Sequence, residues 1–483
     1  MSWLVLCALV LAKGPKVPVA APPPEVVVAP APPVDPLGPQ PTPTATPDFK
    51  PPVPVAVALS NGASLWVVSA PSLPLVSIVI EVPGGGSLDP IGKEGLASLS
   101  DRLMSKGAGK RSASTFAEEV ERLGIQLDVG TGTASSYISV SAQKDQIDEA
   151  LTLVASMILE PTYKGKDWKL ERRLAAMEVA AGQDDPTVVA RRLATALFMG
   201  PGSAWGRPPE GTVQGIAAAK LPELKTYHRS TWTPGGAKIT VAGALSVEEA
   251  KSLLESSLIS RWPAAPAAVV PAPNVPAHNA EPIYVVDRPG SAQTVFYLVF
   301  PGTAYAGPNE AALRSGTIIL GGTFTSRLNQ LLREKKGYTY GVRARMVQYA
   351  QTGSLVISTR IRTDATEEAM VDLMSELQRL KEGVTPEEAE KARLAHQQDQ
   401  VEAMESRSGI AGAFSEYHFA GLPVQSLQEG LAASRALTVE QINAALGAYD
   451  PSKAVIILVG DKKAIEEPLK AAGFTAIEGR PAI

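Results

Sequence analysis

A chain of 483 residues is too long for one ordinary hydrophobic core, so two or more domains are expected. With 45% hydrophobic and 19% charged residues the composition is globular, and a net charge of −4 gives no reason to expect a nucleic-acid partner. The sole cysteine, Cys7, excludes an intrachain disulfide and any cysteine-based zinc site, and no apolar run has the length of an uninterrupted membrane-spanning helix.

Residues 1–13 form an apolar leader whose core, WLVLCALVLA, suits a signal peptide in length and is short for a span. No basic residue precedes this run and Lys13 follows it, so a signal reading needs a start further upstream; a frayed apolar tail is the other reading. Leu6 is too bulky for the small residue expected before a lipidated cysteine. Residues 14–56 are rich in Pro, Ala and Val; prolines this dense remove ladder donors and favour extended polyproline II, which predicts a semi-rigid spacer. Leader plus spacer suggests a body held clear of a membrane in a cell envelope, periplasmic or membrane-tethered, with a cytoplasmic location as the alternative.

Residues 57–262 read as the first folded domain. Strands are expected at 64–68 and 76–82 (VSIVIEV), a turn at Gly84-Gly85-Gly86, and helices at 95–106 and 116–123. A strand pair over 125–142 is broken by Gly130 and Gly132, and helices follow at 147–158, 166–181 and 186–198. A strand at 238–242 and a helix at 247–258 close the domain. The triple glycine lacks the Gly-Lys-Ser/Thr ending of a phosphate loop and reads as a turn. Residues 263–280, with PAAPAAVVPAPNVP, read as a second linker.

The plan then recurs over 281–483. TVFYLVF at 294–300 matches VSIVIEV, a helix over 309–320 matches GLASLSDRL, and AVIILVG at 454–460 with its following helix matches KITVAG and its own. Between them come a strand at 355–360 and helices at 365–381 and 386–406. Recurrence at a period of roughly 220 residues is duplication of a whole domain rather than of a solenoid unit. The class expected is α+β, with antiparallel-rich sheets.

The segment from Gly321 to Tyr340, GGTFTSRLNQLLREKKGYTY, is the most distinctive. Leu328, Leu331 and Leu332 share a helical face, Arg333 falls in the last turn, Gly337 stops the helix, and a strand with Tyr340 at its start is expected. Arg333 and Tyr340 can point into one cleft and hold a peptide backbone or a developing oxyanion; the alternative is a surface Arg and a half-buried strand Tyr. Arg343 and Arg345 alternate along the same strand, as a basic edge that is either a solvated face or a peptide contact.

SRL followed by LREKKGYTYGV closely resembles the C-terminal half of the pitrilysin/insulinase-type zinc metallopeptidases, the group that includes the processing peptidases, and the resemblance spans roughly residues 55–480. It implies two homologous α/β sandwich-like halves, each a mostly antiparallel sheet with packed helices, facing across a cleft with the linker as hinge. It also implies that Arg333 and Tyr340 bind substrate and assist at the transition state. Active members carry His-x-x-Glu-His on the first helix. Here the matching ligand positions hold Ser98 and Arg102, and Asp101 stands at the place of the base. Glu178 matches the third ligand and Glu171 an upstream glutamate; pairing with Arg172 or Arg173 is one expectation for these carboxylates, and an ion pair between Arg102 and Glu178 is another. The four histidines, His228, His278, His396 and His418, are not spaced for a helical pair and read as surface or structural, and no serine has a neighbouring histidine in sequence to activate it.

The expectation is therefore a non-catalytic subunit, without a cofactor of its own. It would bind peptide or unfolded protein and offer Arg333 and Tyr340 to a zinc-bearing partner subunit of the same family. The alternative is a non-proteolytic scaffold or peptide-binding envelope protein, as the core subunits of respiratory complexes illustrate. An active peptidase with an unusual metal site would require stoichiometric metal in the purified chain.

Overall fold

Two continuous apolar runs, one in each half, form the central strands of two six-stranded sheets. A computed structural model of the chain describes residues 49–279 and 282–482. The leader and most of the spacer lie outside the described residues. In the first half the strands are β1 (Val55–Ala58), β2 (Ser64–Ser69), β3 (Leu75–Pro83), β4 (Gln126–Thr131), β5 (Ser135–Gln143) and β6 (Lys238–Gly243), in the order β1-β2-β6-β3-β5-β4. In the second half they are β7 (Ile283–Asp287), β8 (Gln293–Pro301), β9 (Val342–Gln348), β10 (Gly353–Arg362), β11 (Val455–Gly460) and β12 (Ile477–Gly479), in the order β12-β7-β11-β8-β10-β9. Four of the five pairings in each sheet correspond one to one. β2 with β6 and β7 with β11 are parallel, and the strands that continue each sheet toward β4 or β9 are antiparallel. Only the far edges differ: β1 is antiparallel to β2, whereas β12 is parallel to β7.

The central strands read as unbroken apolar runs because both faces are covered. On β8, Phe296, Leu298 and Phe300 join the outer core under the helices of the second half. Val295, Tyr297 and Val299 join an inner core. β5 is buried at every second residue, as its alternating SSYISVSAQ requires.

What covers the inner faces is exchanged between the halves. The helix Pro186–Phe198 of the first half lays Val189, Leu193 and Phe198 on the inner face of the second sheet, against Val295, Val299, Ile457 and Val459. Each of those three large side chains contributes about 1.5–3 kcal/mol by burial. Reciprocally, the helix Arg407–Phe419 of the second half lays Ile410, Ala411 and Phe414 on Trp66, Val68, Val79 and Ala242 of the first sheet. His418 fixes this contact: its Nε2 lies 2.8 Å from the Ser64 hydroxyl, its Nδ1 3.1 Å from that of Thr240, and its ring stacks on Trp66 at 4.4 Å. The halves thus interlock, and residues 49–482 belong to one unit.

One expectation is corrected here, and one helix is added. Residues 263–279 are not a free hinge: the carbonyls of Ala265 and Pro266 accept from Gly235 and Thr233, that of Pro271 accepts from the Trp205 indole at 2.7 Å, and His278 meets the Phe198 carbonyl at 2.8 Å. The Arg407–Phe419 helix has no clear signal in sequence because RSGIAGAFSEYHF holds two glycines and four residues of weaker helix propensity (Ser408, Ile410, Phe414 and Ser415) in its first nine positions; packing on the sheet and the Ser406 cap, which accepts from Gly409 at 2.9 Å, sustain it.

Candidate functional site

The helix Leu96–Met104 carries the first cluster. It buries Leu96, Leu99 and Leu103, and its start is held by the Asp89 carboxylate, which accepts from the backbone of Gly95 at 2.6 Å and Ala97 at 2.8 Å. Ser98 and Arg102, one turn apart, share the half-buried face. Arg102 donates two parallel bonds to Glu178, at 2.8 and 3.0 Å, and its Nε lies 3.4 Å from Glu171, a buried carboxylate that Lys106 also approaches at 3.5 Å. Arg102 holds the Glu178 carboxyl below its ordinary range. The pairing is thus with Arg102, not with Arg172, which stacks instead on Trp168 at 5.3 Å. A bidentate fork suits a carboxylate better than the one-turn helix pairs read from the sequence.

Asp101 does not share that face. It is buried and accepts from Thr131 at 2.6 Å, from Ser136 and from the Trp232 indole at 3.0 Å; burial pushes its carboxyl up to about 6. Its oxygens tie the helix to the sheet and to Trp232, so the position matching the base has a structural duty. This donor set does not fit a zinc ion: a guanidinium already lies between the two glutamates, and the serine hydroxyl is a poor ligand. Three of the four histidines are buried, and His228 meets the Ile158 carbonyl at 2.8 Å and His396 the Ser434 hydroxyl at 3.0 Å. No serine neighbours a histidine in sequence, but in the fold Ser64 meets His418 and Ser434 meets His396. Both contacts span dozens to hundreds of residues, beyond what spacing can reveal. Burial holds the His418 ring neutral, with its pKa lowered to about 3, and both its nitrogens already meet hydroxyls.

The second cluster is Arg333 with Tyr340. Both line an open pocket of about 740 Å³, with Phe324, Arg343 and Arg360. Arg333 belongs to a π-helical stretch, Asn329–Lys335, and a second such stretch, Ile318–Gly322, precedes it. The wider π turn differs from the regular helix expected, although Leu328 and Leu332 are fully buried as the pattern required. Gly337, at φ +65°, turns the chain and donates to the Arg333 carbonyl at 3.0 Å. Tyr340 is not on the strand, which starts at Val342; it is 92% exposed. The Arg333 guanidinium lies 3.8 Å above the Phe324 ring and its Nε is 3.5 Å from Glu334.

The edge of β9 is closed at its start. The Asn329 amide accepts from the Val342 N–H at 2.8 Å and donates to the Val342 carbonyl at 2.9 Å, as a neighbouring strand would. Gly321 packs so closely that a Cβ there would lie 2.9 Å from the Ala344 nitrogen. A peptide at this pocket is therefore met by side chains, not by addition of a strand to the start of β9.

Between the halves lies a cleft of about 610 Å³, lined by Glu81, Arg191, Tyr297, Tyr305, Arg345 and Glu416 among others. Sequence reading missed it, because its walls come from seven segments spread from Glu81 to Ala420. Tyr305 donates to Glu416 at 2.9 Å and Arg345 to the Tyr297 hydroxyl at 3.0 Å. Glu81 accepts from Ser415 at 3.1 Å, and burial, reinforced by Glu416, pushes its carboxyl from 4.5 to about 7. A raised carboxyl contributes stability at low pH that is lost as pH climbs from the unfolded value toward 7, because the folded chain keeps its proton longer. Glu81→Gln escapes this loss. Its stability relative to the parent is expected to rise by roughly 2–3 kcal/mol between about pH 5 and about pH 8, read from denaturant curves at the two values.

Residues 66–203 match the family model described as insulinase (peptidase family M16), and residues 219–395 match the model described as peptidase M16 inactive domain. An uncharacterized zinc protease of Rickettsia bellii is 24% identical over 337 residues, 69% of this chain and 80% of that protein. Among solved structures, a peptidase M16 inactive domain from Pseudomonas fluorescens superposes with a TM-score of 0.77 at 24% identity, covering 84% of this chain and 98% of that one. A chain in the structure of complex III2 from Candida albicans has a TM-score of 0.74 at 14% identity, covering 86% and 99%. At these identities the structural likeness is one of fold.

Proposed function

The chain belongs to peptidase family M16, the insulinase family, and from that premise we propose that it is a non-catalytic subunit working beside a zinc-bearing chain of the same family. It binds extended peptide and presents Arg333 and Tyr340 to the carbonyl that the partner attacks. The observation that carries this reading is a contrast between the two clusters. The Ser98/Arg102 face spends its cation on Glu178 and Glu171, whereas Arg333 and the bare Tyr340 line one open pocket and engage no buried carboxylate among the described residues.

The guanidinium and the phenol are both donors. Directed at a carbonyl oxygen, they stabilise the negative charge that grows there during attack more than they stabilise the ground state, which accelerates the step. Arg333 rests on Phe324, which holds its guanidinium at the pocket. An N-terminal leader and spacer would hold this body in a cell envelope; no described helix is long and apolar enough to cross a membrane.

The test is reconstitution. The purified chain alone is expected to cleave no peptide and to retain no zinc after dialysis. Mixed with a His-x-x-Glu-His chain from the same organism, it is expected to restore chelator-sensitive cleavage. Chelator-sensitive cleavage by the isolated chain would refute the proposal, as would a partner whose rate ignores its presence. The scaffold reading draws on the fold shared with a chain of complex III2, and a stable assembly containing no zinc-bearing chain would favour it.

A further inference from the structure

We propose that the pocket beside Arg333 and Tyr340 selects an acidic extended peptide, with Arg343 and Arg360 as the specificity-determining residues; this rests on the peptide-binding role proposed above. The lining of the pocket holds three arginines, Arg333, Arg343 and Arg360, and no carboxylate. Arg343 is exposed and has no hydrogen-bond or ion-pair partner among the described residues. The carboxylates nearest the other two stand outside the lining. Asp185 is 3.3 Å from Arg360, and Glu334 is 3.5 Å from the Arg333 Nε. The pocket therefore carries excess positive charge.

Register places these groups on one surface. Arg343 of β9 pairs with Ser358 of β10, so Arg360, two residues further along β10, points to the same face and lies diagonal to Arg343. Such diagonal neighbours are about 7–8 Å apart at the backbone, close enough for two long side chains to grip one carboxylate and far enough that neither fills the site. Arg345, opposite Val356, continues the row on the same face into the cleft between the halves, where it meets Tyr297. Arg343 and Arg345 are one strand repeat apart, about 6.6 Å. An extended peptide presents its own alternate side chains at that same interval. The best fit is therefore a segment with carboxylates at alternate positions, lying along the inner face of β9. The exposed rings of Phe324 and Tyr340 flank this row and supply apolar contact for the backbone.

The occupant is a peptide rather than a nucleic acid because the row is short and straight. The chain as a whole carries a net charge of −4, which disfavours a long polyanion once it extends beyond the pocket.

The test uses the full chain and fluorescein-labelled peptides in anisotropy titrations: one with glutamate at alternate positions, its glutamine counterpart and its lysine counterpart. The glutamate peptide is expected to bind at least about tenfold more tightly than the glutamine one, with the preference falling as salt is raised. Arg343→Gln is expected to remove most of that preference. Because Arg343 makes no hydrogen bond or ion pair among the described residues, this variant should keep the parent's denaturation midpoint. Arg360→Gln acts in the same direction but also releases Thr187 at the start of the exchanged helix, so Arg343→Gln is the deciding variant. Equal affinity for glutamate and glutamine peptides would overturn the proposal. So would an Arg343→Gln chain with undiminished preference, or a single-stranded oligonucleotide of equal charge that binds as tightly as the glutamate peptide. The measurement needs no partner and no turnover. Arg333-dependent stimulation of a partner without acidic preference defeats this inference alone. Acidic preference without stimulation of any partner defeats the subunit role and leaves the binding site standing.

Discussion

Replacing Arg333 by alanine is expected to lower the peptide-cleaving turnover of the reconstituted pair by about 100-fold or more, the loss typical of removing one donor from a developing oxyanion. The same change should barely alter folding. The side chain is half-buried at most, its strongest internal contact is the stack on Phe324 at 3.8 Å, and its ion contact to Glu334 is at the surface. An exposed cation–π contact is worth about 0.5–1 kcal/mol, which is small beside the change in barrier that a 100-fold loss represents. If the guanidinium acts on charge that appears only during attack, the loss falls on kcat with KM little changed; if it only holds the ground-state peptide, KM rises and kcat survives. Arg333→Lys keeps the charge but not the planar fork and should fall between. Tyr340→Phe should act in the same direction, again with no effect on stability, because the ring is bare. Steady-state kinetics of the pair with each variant would decide. Unchanged turnover in Arg333→Ala would remove this pocket from the reaction.

The double change Ser98→His with Arg102→His is expected to give a chain that retains one zinc ion through gel filtration, where the parent retains none. Two imidazoles at i and i+4 project from one helical face, and removing Arg102 frees Glu178 and Glu171 of their cation. The metal-free double variant should be less stable than the parent by roughly 1–3 kcal/mol, because buried Glu171 loses its guanidinium and keeps only Lys106 at 3.5 Å. Zinc should then restore stability, by about 2.7 kcal/mol when present at 100 times its dissociation constant. Hydrolysis is not expected to return with the metal. Asp101 remains engaged by Thr131, Ser136 and Trp232, on a different face of the helix, and cannot serve as base at the new site. Thermal midpoints with and without zinc, with metal analysis, would test this. A metal-free double variant as stable as the parent that takes up no zinc would show that Arg102 does not stand in the place of a cation.

Much of the architecture was legible in the chain. VSIVIEV, TVFYLVF and AVIILVG announce buried central strands because an unbroken apolar run of that length has few other stable placements, and their recurrence in the same order exposes the duplicated half. Arg333 and Tyr340 could be proposed as a pair because six residues and one glycine turn lie between them and because SRL with LREKKGYTYGV resembles the insulinase-type motif. The rest depended on groups that meet only after folding. Whether Arg102 pairs with Glu178, 76 residues away, depends on how two helices cross, and the direction of the Asp101 carboxylate depends on Trp232, 131 residues away. The exchange of Pro186–Phe198 and Arg407–Phe419 between sheets has no local signature, since a helix's apolar residues say that it is covered but not by which half. Asn329 closing the start of β9 is equally silent in sequence, where it is one polar residue in a leucine-rich turn. Periodicity and composition record whether a residue is buried; tertiary structure alone chooses its partner, because that choice is made by groups that the chain itself keeps far apart.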